Sequence, residues 1–166
     1  MVARRAPQTP HRVAFVRAKY GRPLLADAGY VTSFARFDQD GRPHFLDFHD
    51  ILLITRGRGA FFLDGERHDV RPGRLFLTRP GQVRQWRAQD LDGACIFFRE
   101  EFVADTFSDP HLLDQFPCFA SSRPGSALVL SRRQRQAFLR RFEDMRSELM
   151  SMKSDTTHAL RAGLYD

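Results

Sequence analysis

Among the side chains between residues 44 and 86 that could bind a metal or a small molecule, His44, Asp50, Arg84 and Trp86 matter most for the chemistry of this region. Imidazole and carboxylate groups are ligands of zinc, iron, nickel or manganese. A guanidinium stays protonated and binds anionic groups as a bidentate fork, and an indole ring offers a face for stacking. The chemistry of this region therefore depends on whether these side chains hold a cation or an organic molecule.

The four side chains stand in a run of short apolar segments separated by turn signals. The signals are RGRG at 56–59, DGE at 64–66, RPG at 71–73 and RPGQ at 79–82. Such closely spaced segments predict a small antiparallel barrel or sandwich, with a strand-rich core from about residue 44 to residue 98. The other elements expected before residue 131 are a first strand at 28–38, short helices at 100–107 and 110–116, and a last strand at 127–130.

The spacing of the run resembles the barrel of a cupin, in which three histidines and a glutamate converge on one cation. The four ligand positions correspond here to His44, Leu46, Asp50 and Arg84. Leucine cannot ligate, and a protonated guanidinium repels a cation. We therefore expect no metal, no other cofactor and no catalytic residue, and the sequence contains no nucleophile elbow or phosphate loop. A cupin-fold enzyme, such as a metal-dependent isomerase or dioxygenase, is the alternative interpretation.

Three segments resemble the sensing domain of AraC-type transcription regulators. They are HFLDFHDILLITRGRG at 44–59, FLDGERHDVRPGRLFLTRPGQV at 62–83 and FFREEF at 97–102. The resemblance implies a mainly β fold, a cupin-type (jelly-roll) double-stranded β-barrel with two C-terminal α-helices packed on it. It also implies a cytoplasmic bacterial regulator that binds DNA only through a helix-turn-helix domain, which is missing from this chain up to Asp166.

The same resemblance implies a set of effector-binding residues in the barrel. It gives Arg84, Trp86, Arg42 and Cys95, and we expect His44 and Asp50, from the cupin ligand positions, to belong to the same site. Arg84 and Trp86 are two positions apart on a strand and therefore face the same way. A cation beside a flat apolar ring suits a small effector that is anionic or sugar-like. The other interpretation is that Trp86 belongs to the core and that Arg84 pairs with Asp50.

A helix is predicted over residues 131–152, because Ser131 and Gln134 fit a capping box at its start. Its apolar positions follow an a/d spacing: Phe138, Phe142, Met145, Leu149 and Met152. This stripe packs either on the barrel of its own chain or against a second chain in a homodimer, and the resemblance implies dimerisation and linker helices here. A second helix is expected to begin near Ser154 or Asp155.

The composition fits one domain of 166 residues, 42% of them hydrophobic. The organisation expected is a basic arm at 1–25, a sensor barrel at 26–130 and dimerisation or linker helices at 131–166. The arm carries basic residues without an acidic one, in a chain of net charge +6. It contacts nucleic acid, an acidic partner or an anionic ligand, or else it is a solvated tail. No apolar stretch reaches the length of a membrane span, and Cys95 and Cys118 are expected to be reduced thiols.

Overall fold

The structure is a computed structural model that describes residues 9–34, 41–107, 113 and 126–165. The strands are β1 (His11–Val13), β2 (Ala26–Tyr30), β3 (His44–Leu46), β4 (His49–Leu63), β5 (Glu66–Val70), β6 (Arg74–Thr78), β7 (Val83–Phe98) and β8 (Ser126–Val129). The helices are α1 (Val31–Phe34), α2 (Glu100–Phe107), α3 (Arg132–Ser151) and α4 (Thr156–Tyr165). The predicted mainly β domain with two C-terminal helices is confirmed.

Two long strands, β4 and β7, form the centre of the sheet. The strand order is β1-β3-β7-β4-β6-β8, with β2 also paired to β7 and β5 also paired to β4. β4 and β7 run antiparallel from the pair His49–Phe98 at one end to the pair Leu63–Arg84 at the other. Most of the other described strands therefore pair directly with β4 or β7, which are the longest strands of the described sheet.

Three of the four turn signals lie between strands as predicted, and the fourth does not. Asp64 and Gly65, both with positive φ, form the two-residue connection between β4 and β5. The RPG and RPGQ segments connect β5 to β6 and β6 to β7. RGRG at 56–59 is not a hairpin turn, because it lies inside β4, opposite β7, at two register shifts. A Cβ on Gly59 would lie 2.2 Å from the Arg87 carbonyl oxygen, so the close approach of the two strands requires glycine there.

The segments outside the strand-rich core differ from prediction at their boundaries. The predicted first strand at 28–38 is shorter and begins earlier, as β2, and the chain turns directly into the one-turn helix α1. The helix expected at 100–107 is confirmed as α2, and β8 lies within one residue of its predicted place. The helix expected at 110–116 lies outside the described residues except for position 113, and so does Cys118.

The apolar stripe of α3 packs on the barrel of its own chain. Phe142, Met145 and Leu149 are 0–2% exposed and belong to the core that also contains Leu160 of α4. Phe138 and Met152 are partly buried against the same core. Of the two interpretations of this stripe, the structure has the intrachain one, because side chains already buried in the core are not available to a second chain. The predicted capping box at Ser131 is confirmed, with both reciprocal hydrogen bonds to Gln134.

None of the helices in the described part of the chain is long and apolar enough to span a membrane.

Burial of Phe142 makes a prediction about stability. Phe142→Ala is expected to lower the free energy of unfolding by about 3–5 kcal/mol, because it leaves a cavity in the core. Met150 lies on the same helix and is 76% exposed. Met150→Ala should therefore change the free energy of unfolding by less than about 0.5 kcal/mol. Urea denaturation measures both. A Phe142→Ala protein of unchanged stability that dissociates from dimer to monomer would instead place the stripe between chains.

A buried histidine predicts how stability depends on pH. Burial, with the positive charge of Arg79, lowers the pKa of His49 from 6.5 to about 4. Between pH 6.5 and about pH 4 the imidazole of His49 is protonated in the unfolded chain but stays mostly neutral in the folded chain. Stability should therefore fall between pH 6.5 and 4, by about 3 kcal/mol in total from this one group. His49→Phe should flatten that part of the profile, whereas His158→Gln, on an exposed side chain, should not; equal profiles for wild type and His49→Phe would refute this.

Candidate functional site

The barrel encloses a cavity of about 320 Å³, at the lower end of the ~300–1,000 Å³ range of small-molecule pockets. Its walls come from β3, β4 and β7 and are mainly apolar, with Leu46, Leu52 and Phe97 among the lining side chains. Residues 13–16 of the N-terminal segment line it as well. The cavity is therefore formed by the barrel together with part of the arm.

A buried ion pair occupies the position expected for a metal. Arg84 donates from Nη1 to Asp50 Oδ2 at 2.6 Å and to the Thr78 hydroxyl at 3.3 Å. Arg84 is 3% exposed and Asp50 1% exposed. The predicted alternative in which Arg84 pairs with Asp50 is thus what the structure has, and both residues still line the cavity. In the described ranges no group of three or more His, Cys, Asp or Glu side chains is arranged to hold a metal ion.

The Arg84–Asp50 pair also joins distant parts of the sheet. Arg84 lies opposite Leu63 in the β4–β7 ladder and opposite His44 in the β3–β7 ladder. Positions 50 and 63 are thirteen residues apart along β4, roughly 40 Å of extended strand. The two charged groups meet only because the sheet curls until the start of β4 faces the start of β7.

Trp86 belongs to the core and lines the cavity at the same time, so the two interpretations of this residue are compatible. Its ring stacks on Phe61 at 4.0 Å between centroids and meets the ring of Phe76 edge-on at 5.8 Å. The Arg84 guanidinium lies 5.7 Å from the Trp86 ring. The side chain is 4% exposed, and its indole Nε1 is buried with no hydrogen-bond partner among the described residues.

The remaining predicted effector residues divide into two that line the cavity and one that does not. His44 is 2% exposed, and its Nδ1 lies 3.2 Å from the backbone oxygen of Arg42. Cys95 is buried, and both His44 and Cys95 line the cavity. Arg42 is exposed and does not line it. The prediction for Arg42 is therefore not supported by its position, because its backbone oxygen points toward His44 while its side chain lies at the surface.

Asp47 fastens the arm over the cavity, and sequence reasoning did not select it. Its carboxylate accepts from Arg12 Nη2 and, at 2.8 Å, from the backbone N–H of Phe15, while the Phe15 ring packs on Phe48. Partial burial alone would raise the pKa of Asp47, but these hydrogen bonds and the nearby charges of Arg12 and Arg99 hold it below its usual value. In the sequence, Asp47 and Phe48 stand side by side in the AraC-like segment at 44–59.

A second ion pair, also missed from the sequence, stands at the cavity wall. Lys19 donates to Asp27 Oδ2 at 2.8 Å, and both residues line the cavity. Burial and the hydrogen bond that it donates to Asp27 raise the pKa of Tyr20, so its hydroxyl stays protonated. The arm is therefore not a solvated tail over its described part, since β1 pairs with β3 and Leu24 is buried.

The coupling between Arg84 and Asp50 can be measured. Arg84→Met should lower the free energy of unfolding by about 3–5 kcal/mol, because it leaves a buried carboxylate without its cation. Asp50→Leu combined with Arg84→Met should recover most of that loss, since it removes both charges. A double-mutant cycle by urea denaturation gives the coupling energy. Strictly additive effects of the two substitutions would show that the two groups do not interact.

Solved structures of low sequence identity resemble parts of the chain. The AraC-like transcriptional activator CuxR is 17% identical over 71% of this chain and 41% of that chain, with a TM-score of 0.47. A Streptomyces PAC13 variant with uridine is 16% identical over 45% of this chain and 59% of that chain, with a TM-score of 0.32. Vicilin from hazelnut (Corylus avellana) is 14% identical over 57% of this chain and 34% of that chain, with a TM-score of 0.29. No match is found among curated proteins.

The family comparison covers most of the chain. A family model described as "AraC-like ligand binding domain" matches residues 28–165, from β2 to the last helix. The chain spans less than half the length of CuxR. The cupin-like barrel with two C-terminal helices that the sequence predicted is in agreement with this match. The chain belongs to the family of AraC-like ligand binding domains.

Proposed function

We propose that this chain is the effector-sensing part of an AraC-type transcription regulator and that a small organic molecule binds in the barrel cavity. The observation that carries the proposal is the cavity itself, about 320 Å³ in volume and lined by Trp86, Arg84 and Asp50. A mainly apolar, largely pre-formed pocket with a few convergent polar groups is the usual form of a small-molecule site. Family membership gives the same expectation.

The arm is the element through which occupancy of the cavity would be transmitted. Residues 13–16 line the cavity, and Asp47 holds them there through Arg12 and Phe15. A molecule beneath the arm contacts both arm and barrel, so it binds more tightly to the arm-closed state than to an arm-open state. Differential affinity of this kind shifts the equilibrium between the two states. The output would be DNA binding by a helix-turn-helix domain outside this chain.

The proposal includes a homodimer, but with an interface other than the predicted seam. The residues predicted to form its seam are led by Phe142, Met145 and Leu149, which are buried inside the chain. A dimer of this domain would therefore use the exposed sides of α3 and α4, where Met150 is 76% exposed. The enzyme alternative has no observation in its favour, because Arg84 is ion-paired in a position where a metal cupin needs a ligand.

The test is a ligand titration that follows Trp86, the only tryptophan of the chain. A panel of small carboxylates, sugars, nucleotides and uncharged organic molecules should contain members that change its fluorescence saturably. Asp47→Ala should weaken that binding about 10-fold, equivalent to about 1.4 kcal/mol, because the arm closes less often. Asp69→Ala, which removes an exposed carboxylate paired with Arg67, is the matched control and should have no effect.

Two results would contradict the proposal. One is the lack of any saturable change across the panel, with an Arg84→Ala protein behaving as the wild type does. The other is binding that Asp47→Ala and Asp69→Ala weaken equally, which would remove the arm from the mechanism.

A further inference from the structure

The charges that line the cavity cancel in pairs. Four lining side chains in the described part of the chain carry a formal charge at neutral pH, and they form two ion pairs. Arg84 and Asp50 are 2.6 Å apart, and Lys19 and Asp27 are 2.8 Å apart. Each cation thus has its own carboxylate. A charged ligand would enter a low-dielectric space in which both signs of charge are already matched.

The deeper pair decides the response to an anion. The Arg84 and Asp50 side chains are 4% and 1% exposed, so a carboxylate or phosphate could take Arg84 only by displacing Asp50 within a nearly dry interior. That displacement would leave a buried carboxylate without its cation, which is strongly unfavourable. Lys19 is 39% exposed, and a solvent-screened charge at the rim contributes little to affinity.

Trp86, whose side chain lines the cavity, carries a buried hydrogen-bond donor. The indole nitrogen of Trp86 is buried and has no partner among the described residues. An indole N–H can donate but cannot accept, and a buried donor gains from an acceptor more than an exposed one does. The cavity that Trp86 lines is largely hydrocarbon, with Leu46, Phe48 and Leu52 among its other lining side chains.

We propose that the effector is an uncharged organic molecule with a compact apolar body and at least one acceptor oxygen, such as a ketone, amide, lactone or alcohol. The oxygen accepts from Trp86 Nε1, and the body fills the apolar remainder of the cavity. The electroneutral pair of Arg84 and Asp50 offers both a donor and an acceptor to the polar end of such a molecule. This inference rests on the proposed function, since it takes the cavity as the effector site.

The first experiment compares probes that share a skeleton and differ in charge. Phenylacetamide against phenylacetate, and hexanamide against hexanoate, are titrated into the purified chain by calorimetry near neutral pH. The amide of each pair should bind at least about 10-fold more tightly than the carboxylate. Toluene, which has no oxygen, should bind more weakly than phenylacetamide by about 3- to 10-fold, the usual net effect of one hydrogen bond.

Two substitutions separate the contributions of charge and hydrogen bonding. Trp86→Phe should weaken phenylacetamide about 3- to 10-fold and leave toluene unchanged, whereas a merely structural role for Trp86 would weaken both. Asp50→Asn leaves Arg84 without its carboxylate and should reverse the preference, so that phenylacetate binds more tightly than phenylacetamide. Asp69→Asn is the control for net charge and should keep the wild-type order. If Asp50→Asn does not fold, the wild-type and Trp86→Phe titrations still test whether the cavity prefers an uncharged molecule that accepts from Trp86.

The outcomes distinguish this inference from the proposed function. Tighter binding of the carboxylates by the wild type, lost in Arg84→Met, would overturn the uncharged effector while the cavity remained a ligand site. Equal weakening of phenylacetamide and toluene in Trp86→Phe would overturn the role of the indole N–H. Absence of binding by every probe, toluene included, would overturn both this inference and the proposed function.

Discussion

The ion pair between Arg84 and Asp50 is the contact that constrains how the two long strands of this domain meet. The two residues are 34 positions apart in the sequence and lie at the starts of the two long strands, which run in opposite directions. In a flat sheet the starts of two such strands are at opposite ends of the ladder. Their contact at 2.6 Å therefore requires a sheet that curls over on itself, and such a sheet has an inner face.

The same contact determines the character of the cavity. Buried ion pairs contribute little net stability, because desolvation offsets much of the attraction, but removal of one partner is costly. Such a pair favours the one register of β4 against β7 in which both charges are matched. It also places an assembly of zero net charge where the cupin spacing would put a metal ligand. Curling of the sheet brings the two charges together, and the pair in turn gives this part of the cavity wall no net charge.

The arm connects this interior to the surface. Asp47 stands in the short connection between β3 and β4, three positions before Asp50. Asp47 binds the arm through Arg12 and Phe15. The arm is therefore attached close in sequence to Asp50, which lines the cavity. The α3 stripe anchors the opposite layer, because Phe142 and Leu149 pack into the core beneath the sheet. A molecule in the cavity would therefore contact the arm as well as the barrel.

The sequence by itself determined the features that depend on local pattern. Alternation of apolar residues and the DGE, RPG and RPGQ signals place the strands, Ser131 and Gln134 start α3, and Leu46 and Arg84 depart from the ligand pattern of a metal-binding cupin. Only the tertiary structure decided which charge meets which, that the RGRG segment continues a strand as a bulge, that Arg42 faces outward, and that the α3 stripe packs inward. The reason is physical: propensity, capping and turn chemistry act over a few residues, whereas pairing of Arg84 with Asp50 and burial of Phe142 depend on how the sheet closes, which no short segment encodes.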